Sequence, residues 1–294
     1  MSDPVNKLPS GLLQRVEKLE EIVGVPPPVS SRAIDPKTDL LITASPPICE
    51  KPLASPAEES GAKLISLHLP RTGGSSFNQS LRKHFRGRLT NDYRANTLTW
   101  GKSSVSQWEP IVLRNRSALL SSITKAEKGL DDIECVHGHF MPVEYLLVSN
   151  IFDVRFVTWM RHPVDRVVSH YNHYLRQKGE WTLEQFCLSP KFRNLYSQYL
   201  WAFPLENFDF IGITEHYKED LEYFSKNLLP LFSTKRKARN FSLTQFKENV
   251  TPRRGDHSHT LSTTLRKEIE NYHNIDMDLY RRALNRRLTR QNKK

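Results

Sequence analysis

Pro70-Arg71-Thr72-Gly73-Gly74-Ser75-Ser76 concentrates hydroxyls, glycines and one permanent cation between the apolar run Leu64–Leu69 and Phe77. The order reads as a strand, a glycine loop and a helix start. Backbone N–H groups at a helix N-terminus point outward and carry partial positive charge. Glycines let that backbone approach an anion closely. Ser75 and Ser76 add hydroxyl donors, and Arg71 adds a charge that no working pH removes. Such a loop suits a phosphate. An ordinary turn with a serine N-cap uses the same residues, so the rest of the chain must decide. The loop is not a Walker A sequence, because no lysine follows Gly73-Gly74, and it is not GxGxxG.

Two further stretches carry chemistry. In Arg161-His162-Pro163-Val164-Asp165-Arg166-Val167-Val168-Ser169-His170-Tyr171, Arg161 closes an apolar run. Ser169 stands two turns into the following helix, where it could share one anion with Arg161. The alternative is a structural Arg161–Asp165 ion pair with Arg166 and Ser169 solvated. In His137-Gly138-His139 the two histidines suit a general base with a helper, or metal ligands. No third ligand has recognisable spacing, so no metal is expected.

The elements that position these residues can be read from periodicity. Strands are expected over Leu64–Leu69, Phe152–Met160 and Phe208–Thr214, with a shorter one opening Cys135–Phe140. Helices are expected over Ser76–Arg86, Pro163–Gln177, about Lys218–Leu229 and Asp276–Arg290, with weaker helical character over Leu119–Gly129. Pro163 suits the first turn of its helix. Apolar strands alternating with helices indicate a parallel sheet covered on both faces, an α/β fold.

Residues 1–61 read differently. Leu12, Val16, Leu19 and Val23 give Gly11–Gly24 an amphipathic pattern, suited to docking, weak oligomerisation or packing on its own domain. A proline-rich linker follows from Val25 to about Glu59, and the folded domain is expected over 62–294.

The chain has 294 residues and a formal net charge of +11, which favours anionic partners. Cys49, Cys135 and Cys187 are odd in number and widely spaced, so neither a disulfide framework nor a zinc site is expected and a reducing compartment fits. No apolar run approaches about 18 residues, and Met1-Ser2-Asp3-Pro4 opens no signal-peptide core. A cytoplasmic chain is the expectation.

Together the three stretches resemble the sulfotransferases that use 3′-phosphoadenosine 5′-phosphosulfate (PAPS). Pro70-Arg71-Thr72-Gly73-Gly74-Ser75-Ser76 resembles the family's 5′-phosphosulfate loop, usually Pro-Lys-Thr-Gly-Gly-Thr-Ser. Arg161-His162-Pro163, Arg166 and Ser169-His170-Tyr171 resemble its 3′-phosphate motif. His137-Gly138-His139 is similar to the His-Gly-His stretch of the heparan sulfate and uronyl 2-O-sulfotransferase branch. Phe210–Tyr217 is similar to a later strand of that branch, and Asn249-Val250-Thr251 with Asp278-Leu279-Tyr280 to its C-terminal signature. The resemblance spans roughly Lys63 to Leu288.

It implies a P-loop-like three-layer fold, PAPS as co-substrate without a metal, and sulfuryl transfer to a hydroxyl. The acceptor would be a saccharide or another small hydroxylated molecule. It further implies that Thr72, Gly73, Gly74, Ser75 and Ser76 cradle the 5′-phosphate, that Arg161 and Ser169 hold the 3′-phosphate, and that His139 or His137 takes the acceptor proton. Arg71 stands where the family usually has lysine; arginine can stabilise the leaving phosphate but does not readily donate a proton. Acceptor contacts are expected among Tyr93, Arg94, Trp100, Trp108, His173 and Arg176. Two other readings stand beside this one. A nucleotide kinase would share the cradle but use Mg²⁺ and a lysine. A non-catalytic polyanion binder would use the basic C-terminal cluster of Arg281, Arg282, Arg286, Arg287, Arg290, Lys293 and Lys294. No nucleic-acid-binding fold or aromatic-basic platform is legible.

Overall fold

The computed structural model describes residues 62–93, 133–146, 149, 152–175, 180–201, 203–232 and 261–292. The amphipathic segment 11–24, the proline-rich stretch, 119–129, 249–251 and the acceptor candidates Arg94, Trp100, Trp108 and Arg176 lie outside the described residues. Among the described residues five strands form one sheet: β1 (Lys63–Leu67), β2 (Leu89–Asp92), β3 (Cys135–Gly138), β4 (Val154–Met160) and β5 (Phe210–Ile213), in the order β2-β3-β1-β4-β5. Every pairing is parallel. The helices are α1 (Gly74–Phe85), α2 (Pro163–Leu175), α3 (Leu183–Cys187), α4 (Leu195–Tyr199), α5 (Tyr217–Asn227), α6 (Thr263–Tyr272) and α7 (Asn274–Gln291).

Alternation along the strands divides the core in two. Leu64, Cys135, Val157, Trp159 and Phe210 pack under α1 (Phe77, Leu81, Phe85) and α5 (Leu221, Phe224). Ile65, Val136, Phe156, Met160 and Ile211 face the other way, onto α4 and α7 and the turn around Val143 and Tyr145. A strand buried on both faces is largely apolar, and β4 is, with Arg155 and Thr158 as its polar residues. The fold is thus α/β, a parallel sheet flanked by helices. A third cluster joins α2 to α3 and α6 through Val164, Val167, Phe186 and Ile269.

The strands end nearly level. Leu67 is in register with Gly138 and Thr158, Asp92 with Gly138, and Met160 with Ile213. All five therefore deliver their next residues to one edge of the sheet: Tyr93, His139, His68, Arg161 and Thr214. From β1 the chain travels through α1 toward the β2 edge, while from β4 it travels through α2 toward β5. The strand order reverses between β1 and β4, which is where open α/β sheets form a ligand crevice.

Candidate functional site

The β1 exit runs from His68 to Gly73 and is held by its own polar groups. Thr72 Oγ1 donates to Leu69 O at 2.8 Å. Thr214 Oγ1, from the β5 exit, lies 2.7 Å from Thr72 O and 3.0 Å from Met160 O, so its single proton ties the β5 exit either to the loop or to the end of β4. Arg71 (φ 67) and Gly73 (φ 87) both take the left-handed region. Glycine adopts it freely; for arginine it costs about 1–3 kcal/mol, a strain that concentrates at functional sites.

Gly73 caps α1 without a side chain, and the first turn carries no acidic residue. The first helical bond runs from Phe77 N–H to Gly73 O at 3.1 Å, so the N–H groups of Gly74, Ser75 and Ser76 have no acceptor within the helix. Ser75 is exposed and Ser76 half-buried. Glycine is required at 74 for another reason: a Cβ there would stand 1.9 Å from the His68 ring.

Across the switch point, Arg71 Nε donates to Ser169 Oγ at 3.2 Å, joining residues 98 apart in the chain. Arg161, at the β4 exit, is half-buried. Its backbone is gripped by the Tyr196 hydroxyl, which donates to Arg161 O at 2.6 Å and accepts from Arg161 N–H at 3.1 Å. The next N–H, of His162, donates to Glu215 Oε1 at 2.7 Å. Asp165 does not pair with Arg161; it meets Arg266 of α6 at 3.4 Å. Arg166 is not solvated either. It is fully buried, with none of its three guanidinium nitrogens hydrogen-bonded and its charge 5.7 Å from the Tyr196 ring.

On the other side of β1 stand three histidines. The His68 ring stacks on His139 with centroids 4.4 Å apart and on His137 at 5.2 Å, and the Tyr93 ring lies 5.0 Å from His139. His137 is fully buried, with Nδ1 2.8 Å from Ser66 Oγ and Nε2 without a partner. Burial, reinforced by His139 and Arg82, pushes its pKa down to about 3. His139 is half-buried. Burial lowers its pKa too, against a raising bond to His68 O. That partner is a carbonyl and only accepts, so His139 Nδ1 carries the proton and Nε2 keeps the lone pair. His68 is held well below the ordinary range by burial, then by His139, His137 and Arg71. All three rings are neutral near pH 7.

The edge therefore gathers Arg71, Arg161, Ser169 and the α1 N-terminus on one side and His137 and His139 on the other. Two acceptor candidates are described: Tyr93, whose hydroxyl lies 3.4 Å from Asn78 Nδ2, and His173 on α2. Sequence reasoning missed His68 in this cluster, though it directly precedes the loop. It also missed Tyr196, Glu215 and Thr214, whose contacts span 35 to 142 residues and leave no local signal.

The C-terminal arginines are engaged within the fold. Arg287 and Arg290 meet Asp220 Oδ1 at 2.9 and 2.8 Å, Arg282 meets Glu206 at 2.8 Å, and Arg286 donates to Leu205 O and to Phe208 O. Arg290 also donates to Ile211 O at 3.2 Å and lies 4.6 Å from the Phe210 and Tyr223 rings. Much of this cluster fastens α7 to β5 and α5 and is not an open basic surface. Among the described residues no group of three or more His, Cys, Asp or Glu is placed to hold a metal ion, and no helix is long and apolar enough to cross a membrane.

No family model matches the chain, and no curated protein is similar to it in sequence. Among solved structures it is similar to a sulfotransferase from Alicyclobacillus acidocaldarius (14% identity over 73% of this chain and 92% of that one, TM-score 0.42). It is also similar to mouse sulfotransferase SULT7A1 complexed with PAP (14% identity, 62% and 61% covered, TM-score 0.37). A third likeness is to a sulfotransferase domain from the curacin biosynthetic pathway (13% identity, 60% and 76% covered, TM-score 0.33).

Proposed function

We propose that residues 62–294 form a sulfotransferase domain that moves a sulfuryl group from PAPS to a hydroxyl of a saccharide or other small hydroxylated acceptor, as in the 2-O-sulfotransferase branch. One observation carries this reading. The loop suited to a 5′-phosphate and the motif suited to a 3′-phosphate meet through the 3.2 Å bond from Arg71 Nε to Ser169 Oγ.

The residues fit such a donor. The N–H groups at the start of α1 and the hydroxyls of Ser75 and Ser76 form one anion-binding end, with no acidic residue in that turn to oppose it. Arg161 and Ser169 form the second, fed by the β4 exit. PAPS would supply a sulfur–oxygen bond to a good phosphate leaving group. Arg71 would stand between the two ends and neutralise charge on the departing 5′-phosphate, acting by charge and hydrogen bonding alone. His139 Nε2 would take the proton of the attacking hydroxyl as its oxygen bonds to sulfur. The partly exposed His139 suits contact with an acceptor; the fully buried His137 suits support of the cluster from within the sheet.

Thermal shift tests the donor. Saturating 3′-phosphoadenosine 5′-phosphate should raise the unfolding midpoint well beyond ADP or ATP, since a ligand at 100 times its Kd adds about 2.7 kcal/mol of stability. Equal shifts from all three nucleotides would sink the reading. Turnover of PAPS that persists in EDTA would separate it from a Mg²⁺-dependent kinase.

A further inference from the structure

Arg161 sits in an exit loop, and its guanidinium reaches a phosphate from a fixed position only where that backbone is held still. Both backbone polar groups of Arg161 close on one atom, the Tyr196 hydroxyl, at 3.1 Å from N and 2.6 Å from O. Tyr196 is fully buried, and burial raises its pKa, so the hydroxyl stays protonated and can donate and accept at once. The tyrosine is itself anchored. Its N–H donates to Asp276 Oδ2 at 2.9 Å, and Ser197 N–H donates to Asp276 Oδ1 at 3.1 Å. Asp276, buried in the first turn of α7, thus grips the start of α4 with both oxygens. His273 secures the same turn: Asn194 N–H donates to its Nδ1 at 3.2 Å, and its Nε2 donates to Cys187 O at 2.9 Å. The line from α7 through α4 to the β4 exit is unbroken.

We propose that Tyr196 is a positioning residue for Arg161, fixing the peptide from which the guanidinium reaches the 3′-phosphate, with Asp276 as its anchor. The inference rests on the donor reading above and adds to it a residue 35 positions from the motif. A tyrosine that merely filled the core would affect every nucleotide alike. A positioning tyrosine affects only those that carry a 3′-phosphate.

The experiment measures, by calorimetry on the full chain, Kd for 3′-phosphoadenosine 5′-phosphate and for adenosine 5′-phosphate in wild type and Tyr196→Phe. The phenylalanine keeps the ring and removes the hydroxyl. Affinity for the 3′-phosphorylated nucleotide should fall about tenfold, the scale of one buried hydrogen bond, while that for adenosine 5′-phosphate stays the same. Equal losses for both, or no loss for either, overturn the proposal. Should Tyr196→Phe not fold, Asp276→Asn reads the same line from its other end and must show the same selective loss. A wild type that binds both nucleotides equally refutes the donor reading instead, a different signature from a failure at Tyr196.

Discussion

Where β1 and β4 end, the chain assembles cations: Arg71 in a left-handed conformation with Ser169 as its hydroxyl partner, and Arg161 clamped by Tyr196. Where β1, β3 and β2 end, it assembles imidazoles stripped of charge by burial, His68, His137 and His139 against Tyr93. The same sheet edge supports both because β1 lies between β3 and β4 and its exit loop touches each side. Anion binding needs permanent charge that water can still reach. Proton abstraction needs a neutral nitrogen with an open lone pair. On the proposed reading the two demands are met a few residues apart by giving one side arginine and the other burial.

The largest effect expected from separating them is in turnover. His139→Ala should lower kcat by about 10²- to 10⁴-fold, the scale of a positioned general base. Affinity for 3′-phosphoadenosine 5′-phosphate should not change. In wild type, burial holds the His139 pKa below its ordinary 6.5, so the rate should be level from neutral pH upward and fall only in acid. A rate that still rises between pH 7 and 8, or an alanine variant with normal kcat, would remove His139 from proton transfer.

The strand, loop and helix around Gly73 were legible because their signals are local: glycines, hydroxyls and an arginine between an apolar run and a helix. The strand boundaries were less so. Leu69 and Phe208 prolong the apolar runs of β1 and β5, yet both are buried in loops outside the strands, where core packing and not sheet pairing explains them. β2 was missed because Leu89-Thr90-Asn91-Asp92 is mostly polar and becomes a strand only by pairing with β3. α3 and α4 are five residues each, too short for periodicity to register. Arg166 was the hardest residue to read. Nothing in its neighbours says that it will be buried, because the residues surrounding it come from α3, α4 and α7. The basic C-terminus misled in the opposite direction: composition counts its arginines but not Asp220, the buried carboxylate that ties down two of them.

Acid should act through stability, on buried histidines of both sides. Burial depresses His137 and His170 to about 3 and His273 to about 4. A histidine whose folded pKa lies below its unfolded value leaves the native state fully stable above the unfolded value. It costs stability as pH falls below that value, because the unfolded chain then binds more protons. Each of the three contributes a slope of up to about 1.4 kcal/mol per pH unit between roughly pH 6 and 4. Two such units approach the whole stability of an ordinary domain, about 5–15 kcal/mol. Thermal unfolding midpoints measured from pH 7 to 4.5 should fall steeply below pH 6 and change little above it. His137→Gln should flatten the curve. A midpoint indifferent to pH in that window would mean that these rings are solvated.

The smallest predicted effect tests the seam between the sides. Ser169→Ala removes the acceptor of Arg71 Nε and one donor of the proposed 3′-phosphate site, so affinity for 3′-phosphoadenosine 5′-phosphate should drop about tenfold. Arg71→Ala should cost more, since it removes a charge as well. If the 3.2 Å contact matters, the double variant should cost less than the two single losses combined, with a coupling of about 0.5–3 kcal/mol. Ser169→Ala and His139→Ala share no partner among the described residues, so their effects on kcat/KM should add to within about 0.5 kcal/mol. Strong coupling between Ser169 and His139 would show the cation and imidazole sides to be one unit; additivity between Ser169 and Arg71 would show that the bond joining the two motifs carries no energy.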